Sequence, residues 1–179
     1  MAIRITGAAW NGLAALAAAG AAAIASPADA RAEGALLAGL LAWAGLIDAR
    51  RFVLPDVLTG LIAASGLVAA LLQDRALLAE RVLGAIVGYA AFVAISVAYR
   101  RARGRDGLGL GDAKLFAGAG AWLGWAGLPW VSLLAAATGL MHFAILTASG
   151  RARDTATPIP FGPHLCVAIW VVWRFAPAP

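Results

Sequence analysis

Gly107-Leu108-Gly109-Leu110-Gly111-Asp112-Ala113-Lys114 opens an apolar run that continues through Leu115, Phe116, Ala117, Ala119, Ala121, Trp122, Leu123 and Trp125. A stretch of that composition reads as the point where a chain passes into hydrocarbon, with one carboxylate, Asp112, left at the boundary. An acid in that position is costly and is by default a functional residue. The glycines at 107, 109 and 111 leave bare backbone beside it, which lets another chain or a facing helix come close to the carboxylate.

Outward from this stretch the chain keeps the same character. Of its 179 residues 63% are hydrophobic and 13% charged, which excludes both a soluble domain and a disordered chain. At roughly 20 residues per span, the length holds about six or seven transmembrane helices and no second soluble domain. The expected fold is all-α, a polytopic membrane helix bundle. Residues 1–30 hold an alanine-rich run from Ile5 to Ser26, with Arg4 before it and Ala28-Asp29-Ala30 after it. They read either as a first transmembrane helix or as a cleavable signal peptide. Residues 31–179 read as the membrane-embedded domain.

Apolar runs follow at Gly34 to Ile47, Val57 to Leu72, Val82 to Tyr99, Ala113 to Leu128, Trp130 to Ser149 and Phe161 to Phe175, with Pro129 expected to separate two of them. Gly84 with Gly88, and Gly120 with Gly124, have the small-xxx-small spacing of helix-packing faces. Trp122, Trp125, Trp130, Trp170 and Trp173 read as interfacial anchors, and Trp122 and Trp125 also as candidates to line a groove.

If the runs alternate in direction, Arg4, Arg50, Arg51, Arg100, Arg101, Arg103, Arg105, Lys114, Arg151 and Arg153 share one side. Arg31, Arg75, Arg81 and Arg174 share the other. The richer side is expected to be cytoplasmic. Such clusters orient a protein in a bilayer, and they account for the net charge of +5 without nucleic acid as a partner. The single Cys166 excludes a disulfide framework and a cysteine zinc site, and His142 and His164, scattered with it, do not make a metal site. No cofactor fingerprint is present. His142 lies within an apolar run and is expected to hydrogen-bond across helices. His164, at the start of the last run, is expected to be a cap or interface residue.

Two acids stand at helix ends on the same side: Asp48 closes the second run and Asp112 opens the fifth. If those ends pack together, the two carboxylates do not both ionise readily. They share a proton, one drawing a proton from water while the other donates to a scissile carbonyl. The competing reading is that Arg50 or Arg51 neutralises Asp48 and Lys114 neutralises Asp112, as ordinary charges at a membrane boundary. The residues alone leave both open, although a boundary charge has no need of three glycines before it.

Gly109-Leu110-Gly111-Asp112-Ala113-Lys114 resembles the G-x-G-D-x-K element of the type IV prepilin peptidases. Ile47-Asp48 followed by Leu54-Pro55-Asp56-Val57-Leu58-Thr59 is similar to their first-aspartate element, and Pro160-Phe161-Gly162-Pro163 to the segment before their last helix. The resemblance covers roughly residues 36 to 170. It implies a multi-pass protein of the bacterial inner membrane, a peptidase of the aspartic type that needs no cofactor or metal. Its site would face the cytoplasm and remove the short basic leader of prepilins or pseudopilins, with pilus or secretion machinery among its partners. By the same resemblance Asp48 and Asp112 are the catalytic pair, and Gly109, Gly111, Lys114, Pro55 and Asp56 are the supporting loop residues. Asp56 is expected to order its turn, and Lys114 to anchor at the interface or tune Asp112. Longer family members carry paired C-x-x-C cysteines associated with methylation of the new amino terminus. This sequence resembles the short, cleavage-only form found with tight-adherence pili. Other expectations are a presenilin-like G-x-G-D protease, whose Tyr-Asp and Pro-Ala-Leu elements do not occur here, a non-catalytic membrane assembly factor, and an ion-coupled carrier.

Overall fold

The computed structural model describes Ala17, Ala21 and residues 31–104, 107, 109–149 and 159–175. The expectations for residues 1–30 as a first helix or signal, and for the arginines of the 150–158 loop, lie outside the described residues. Within them the chain forms five helices and no strand: α1 Arg31–Arg51, α2 Asp56–Gln73, α3 Arg75–Arg103, α4 Leu110–Ala148 and α5 Gly162–Phe175. The first four are long and apolar enough to cross a membrane, and the protein is a helical-bundle membrane protein.

The helix ends follow local chemistry. Asp74 turns the chain sharply between α2 and α3: its own N–H donates to the Ala70 carbonyl, and its side chain accepts from the Ala76 N–H at 2.9 Å. α3 ends on Arg100, Arg101 and Arg103, whose charges suit the negative end of the helix dipole. Gly104, at φ 68°, then closes it in the left-handed conformation.

α4 holds 39 residues, which as a straight helix would measure about 59 Å, roughly twice a hydrocarbon core. It is folded instead. Near its start, Asp112 lines the same cavity as Asp48. Near its end, His142 bonds His164, two residues beyond Gly162, which itself bonds Asp48. Both ends of α4 therefore lie on the Asp48 side. Its middle reaches the other end of the bundle, where Trp122 meets Trp173 edge-on. The reversal is at Gly124, with φ 70° and ψ 179°, a region open essentially only to glycine. The expected break at Pro129 is thus corrected to Gly124. Pro129 follows five residues later, inside the second segment.

The first segment of α4 is the centre of the bundle. Ala113, Leu115, Phe116, Gly118, Ala119, Gly120, Ala121 and Trp122 are all buried, the signature of a helix enclosed on every side. The glycines of α3 form a packing face as their spacing predicts: Gly84 lies against Gly120 and Gly124, and Gly88 against the Phe116 carbonyl. Phe92 stacks on Phe116 with ring centroids 4.0 Å apart. Trp122 is a core residue rather than the interfacial anchor its type suggests, and its Nε1–H donates to the Ile62 carbonyl at 2.8 Å. Trp125 and Trp130 are exposed.

Candidate active site

Asp48 is the only charged side chain among the buried residues of the described chain. It lies one turn before the end of α1, and Oδ2 accepts the Gly162 N–H at 3.0 Å. Gly162 is the first residue of α5, so the carboxylate meets the positive end of a helix dipole. The fit excludes any side chain at 162: a Cβ there would stand 2.6 Å from Oδ2 and 2.9 Å from Cγ of Asp48.

Asp112 is the third residue of α4, and its carboxylate takes a hydrogen bond from the backbone of Gly109, the N-cap residue. This is the acidic half of a capping box. It fixes the side chain against its own helix start. The two aspartates line one cavity of about 240 Å³ and are close enough to act on each other electrostatically.

Six of the seven residues singled out in the sequence line this cavity: Asp48, Asp56, Gly109, Gly111, Asp112 and Lys114. The seventh, Pro55, is the N-cap of α2, next to it. Gly111 and Gly107, however, serve packing. Gly109 is extended at φ −74°, and Gly111 is not among the residues with positive φ. A Cβ on Gly111 would stand 3.0 Å from the Leu54 Cβ, so this glycine lets the segment after α1 lie against the start of α4. Gly107 faces the Tyr99 ring.

Lys114 pairs with Asp56 at 2.6 Å, tying the starts of α2 and α4 together at the cavity rim. The expectation that it would neutralise Asp112 overlooked helix geometry, since residues two apart do not face each other. The expected cross-helix bond of His142 is present, between its Nδ1 and the Nε2 of His164 at 3.1 Å.

Two features of the site were not read from the sequence. One is the seating of Asp48 on Gly162, 114 positions away, for which no local signal exists beyond the glycine before Pro163. The other is Phe52, which also lines the cavity and has φ 53°, the only non-glycine positive φ among the described residues.

A family model described as the type IV leader peptidase family matches residues 35–144. The prepilin leader peptidase/N-methyltransferase of Aeromonas salmonicida is 39% identical over 142 residues, 77% of this chain and 48% of the relative. The protein of that name from Pseudomonas aeruginosa is 38% identical over 133 residues, 74% of this chain and 45% of its own. The one from Burkholderia pseudomallei is 43% identical over 130 residues, 73% and 41% respectively. The chain thus spans about half the length of the curated relatives it matches. No solved structure matches it. With a match that includes both aspartates and covers more than half of its length, the chain belongs to the type IV leader peptidase family.

Proposed function

We propose that the protein is an aspartic endopeptidase of the bacterial inner membrane that removes the basic leader from prepilins or pseudopilins at the cytoplasmic face. The observation that carries this reading is that Asp48 and Asp112, from helix ends 64 positions apart in sequence, line one small cavity. The peptidase part of the relatives' name supplies the substrate class. The excess of arginine on the Asp48 side supplies the orientation.

In this reading the two carboxylates hold one proton between them. The ionised one takes a proton from water, whose oxygen adds to the scissile carbonyl carbon. The protonated one gives its proton to the carbonyl oxygen. Collapse of the tetrahedral intermediate breaks the C–N bond, and the amine leaves with a proton returned from the pair. Gly162 and Gly109 hold the two carboxylates in register for these transfers through their backbone N–H groups.

The test is co-expression with a prepilin carrying a short basic leader, followed by gel separation of precursor and product. Asp48→Asn and Asp112→Asn each abolish processing while the protein still accumulates in the membrane, because an amide cannot take a proton from water. Processing by either variant at near the wild-type rate refutes the pair. An assembly factor or carrier would process no prepilin even as wild type.

A further inference from the structure

A peptide bond inside a helix is a poor target: its carbonyl is engaged by an N–H four residues on, and adjoining turns cover its faces. A leader cut just before an apolar helical stem has to be drawn out into an extended form at the scissile bond. The N–H and C=O groups freed by that unwinding need partners, because unpaired backbone is expensive at the edge of hydrocarbon. A peptidase working there has to supply them.

The segment that joins α1 to α2 is built to do so. Phe52 at φ 53° halts α1 abruptly, with its N–H still bonded to the Asp48 carbonyl at 2.8 Å. Val53 and Leu54 are outside any helix, and Pro55 after them is extended at φ −65° and ψ 131°. Phe52 and Val53 are exposed and Leu54 is buried, turned in against Gly111. Among the described residues no backbone hydrogen bond engages the N–H or C=O of Val53 or Leu54. Phe52, Val53 and Leu54 all line the cavity that holds both aspartates. A left-handed conformation is unfavourable at a residue with a side chain, and here it falls at the one point where the helix must stop for the non-helical segment to begin.

We infer that Val53 and Leu54, with the Phe52 carbonyl before them, form an edge on which the prepilin residues flanking the scissile bond pair as an added β-strand, presenting that bond to Asp48 and Asp112. This inference rests on the peptidase reading above and adds how the substrate backbone is held. At roughly 3.3 Å per residue the segment engages about three residues of the substrate. Recognition is then by main chain, and side-chain preference is confined to alternate positions.

The experiment uses the purified full chain in lipid vesicles and synthetic peptides that span the leader, the cut and the first residues of the stem. Each peptide carries a single backbone N-methyl group, moved one residue at a time. N-methylation leaves the extended form accessible and removes one donor. In a strand pair, donors facing the partner come from alternate residues. The expected result is a loss of at least tenfold in kcat/KM at alternate positions, with less than about twofold between them. A loss independent of position, or confined to the scissile amide, overturns the strand edge while leaving the peptidase intact. Failure to cut the unmodified peptide overturns the peptidase reading and this inference together.

Discussion

Replacing Gly162 by alanine puts the tightest contact of the site to the test. The new Cβ would stand 2.6 Å from Oδ2 of Asp48, and restoring an ordinary separation of 3.4 Å means moving that oxygen by about 0.8 Å. The carboxylate cannot retreat that far and keep its 3.0 Å bond from the residue 162 N–H. Such a bond to a charged group contributes about 1.5–3 kcal/mol, and misplacing a reacting group by ~1 Å costs on the order of a hundredfold in rate. Gly162→Ala is therefore expected to lower kcat about a hundredfold with KM within about threefold, since the stem and leader meet the same surfaces. The assay is leader removal in vesicles, alongside membrane yield and thermal unfolding to show that the bundle is intact. Gly60→Ala is the control: nothing lies within 4 Å of a Cβ there, and alanine in a helix interior adds up to about 1 kcal/mol. A Gly162→Ala protein that cuts within threefold of wild type would refute the proposal that the seat of Asp48 on Gly162 matters to the reaction.

Gly111→Val is expected to retain membrane yield and lose cleavage, because the branched side chain displaces Leu54, 3.0 Å from the Cβ position, and with it the cavity wall; normal cutting would show that the wall is not needed. Asp56→Asn and Lys114→Gln should each cost under about 1 kcal/mol in thermal unfolding and leave cleavage within a few-fold, since the pair is 73% and 39% exposed, and a loss equal to that of Asp48→Asn would give Asp56 a chemical role. Gly120→Ala should collapse membrane yield, because its Cβ would run into the Gly84 backbone, which has no side-chain freedom with which to yield; wild-type yield would contradict the packing of α3 on α4. A cysteine at Arg103 should resist a membrane-impermeant maleimide added from the periplasmic side, and rapid labelling would reverse the orientation and the side on which the substrate is cut.

The helices and the aspartate pair were legible because each rests on a local signal: apolar runs of spanning length, and acids at their ends. The packing of Gly84 on Gly120 was legible as spacing, although not as a partner choice. What escaped was set by contacts between distant residues. Proline is a strong mark of a break in any sequence, yet the break fell at Gly124, whose backbone conformation is forced by the return of α4 to the Asp48 side. One of the two readings open from the sequence paired Lys114 with nearby Asp112, while its actual partner, Asp56, is 58 positions away. The glycines before Asp112 signalled close approach correctly, but the visitor at Gly111 is the protein's own Leu54.

The first segment of α4 is short for a membrane crossing. Between Leu110 and the break at Gly124 it has about 14 residues and rises roughly 21 Å, against a hydrocarbon thickness of about 30 Å. Packed among α2, α3 and α5, it meets protein rather than lipid, and the longer α2 and α3 beside it span the remainder. The irregular backbone at its two ends, at Gly109 and at Gly124, is then tolerated at membrane depth because neighbouring helices rather than hydrocarbon surround it.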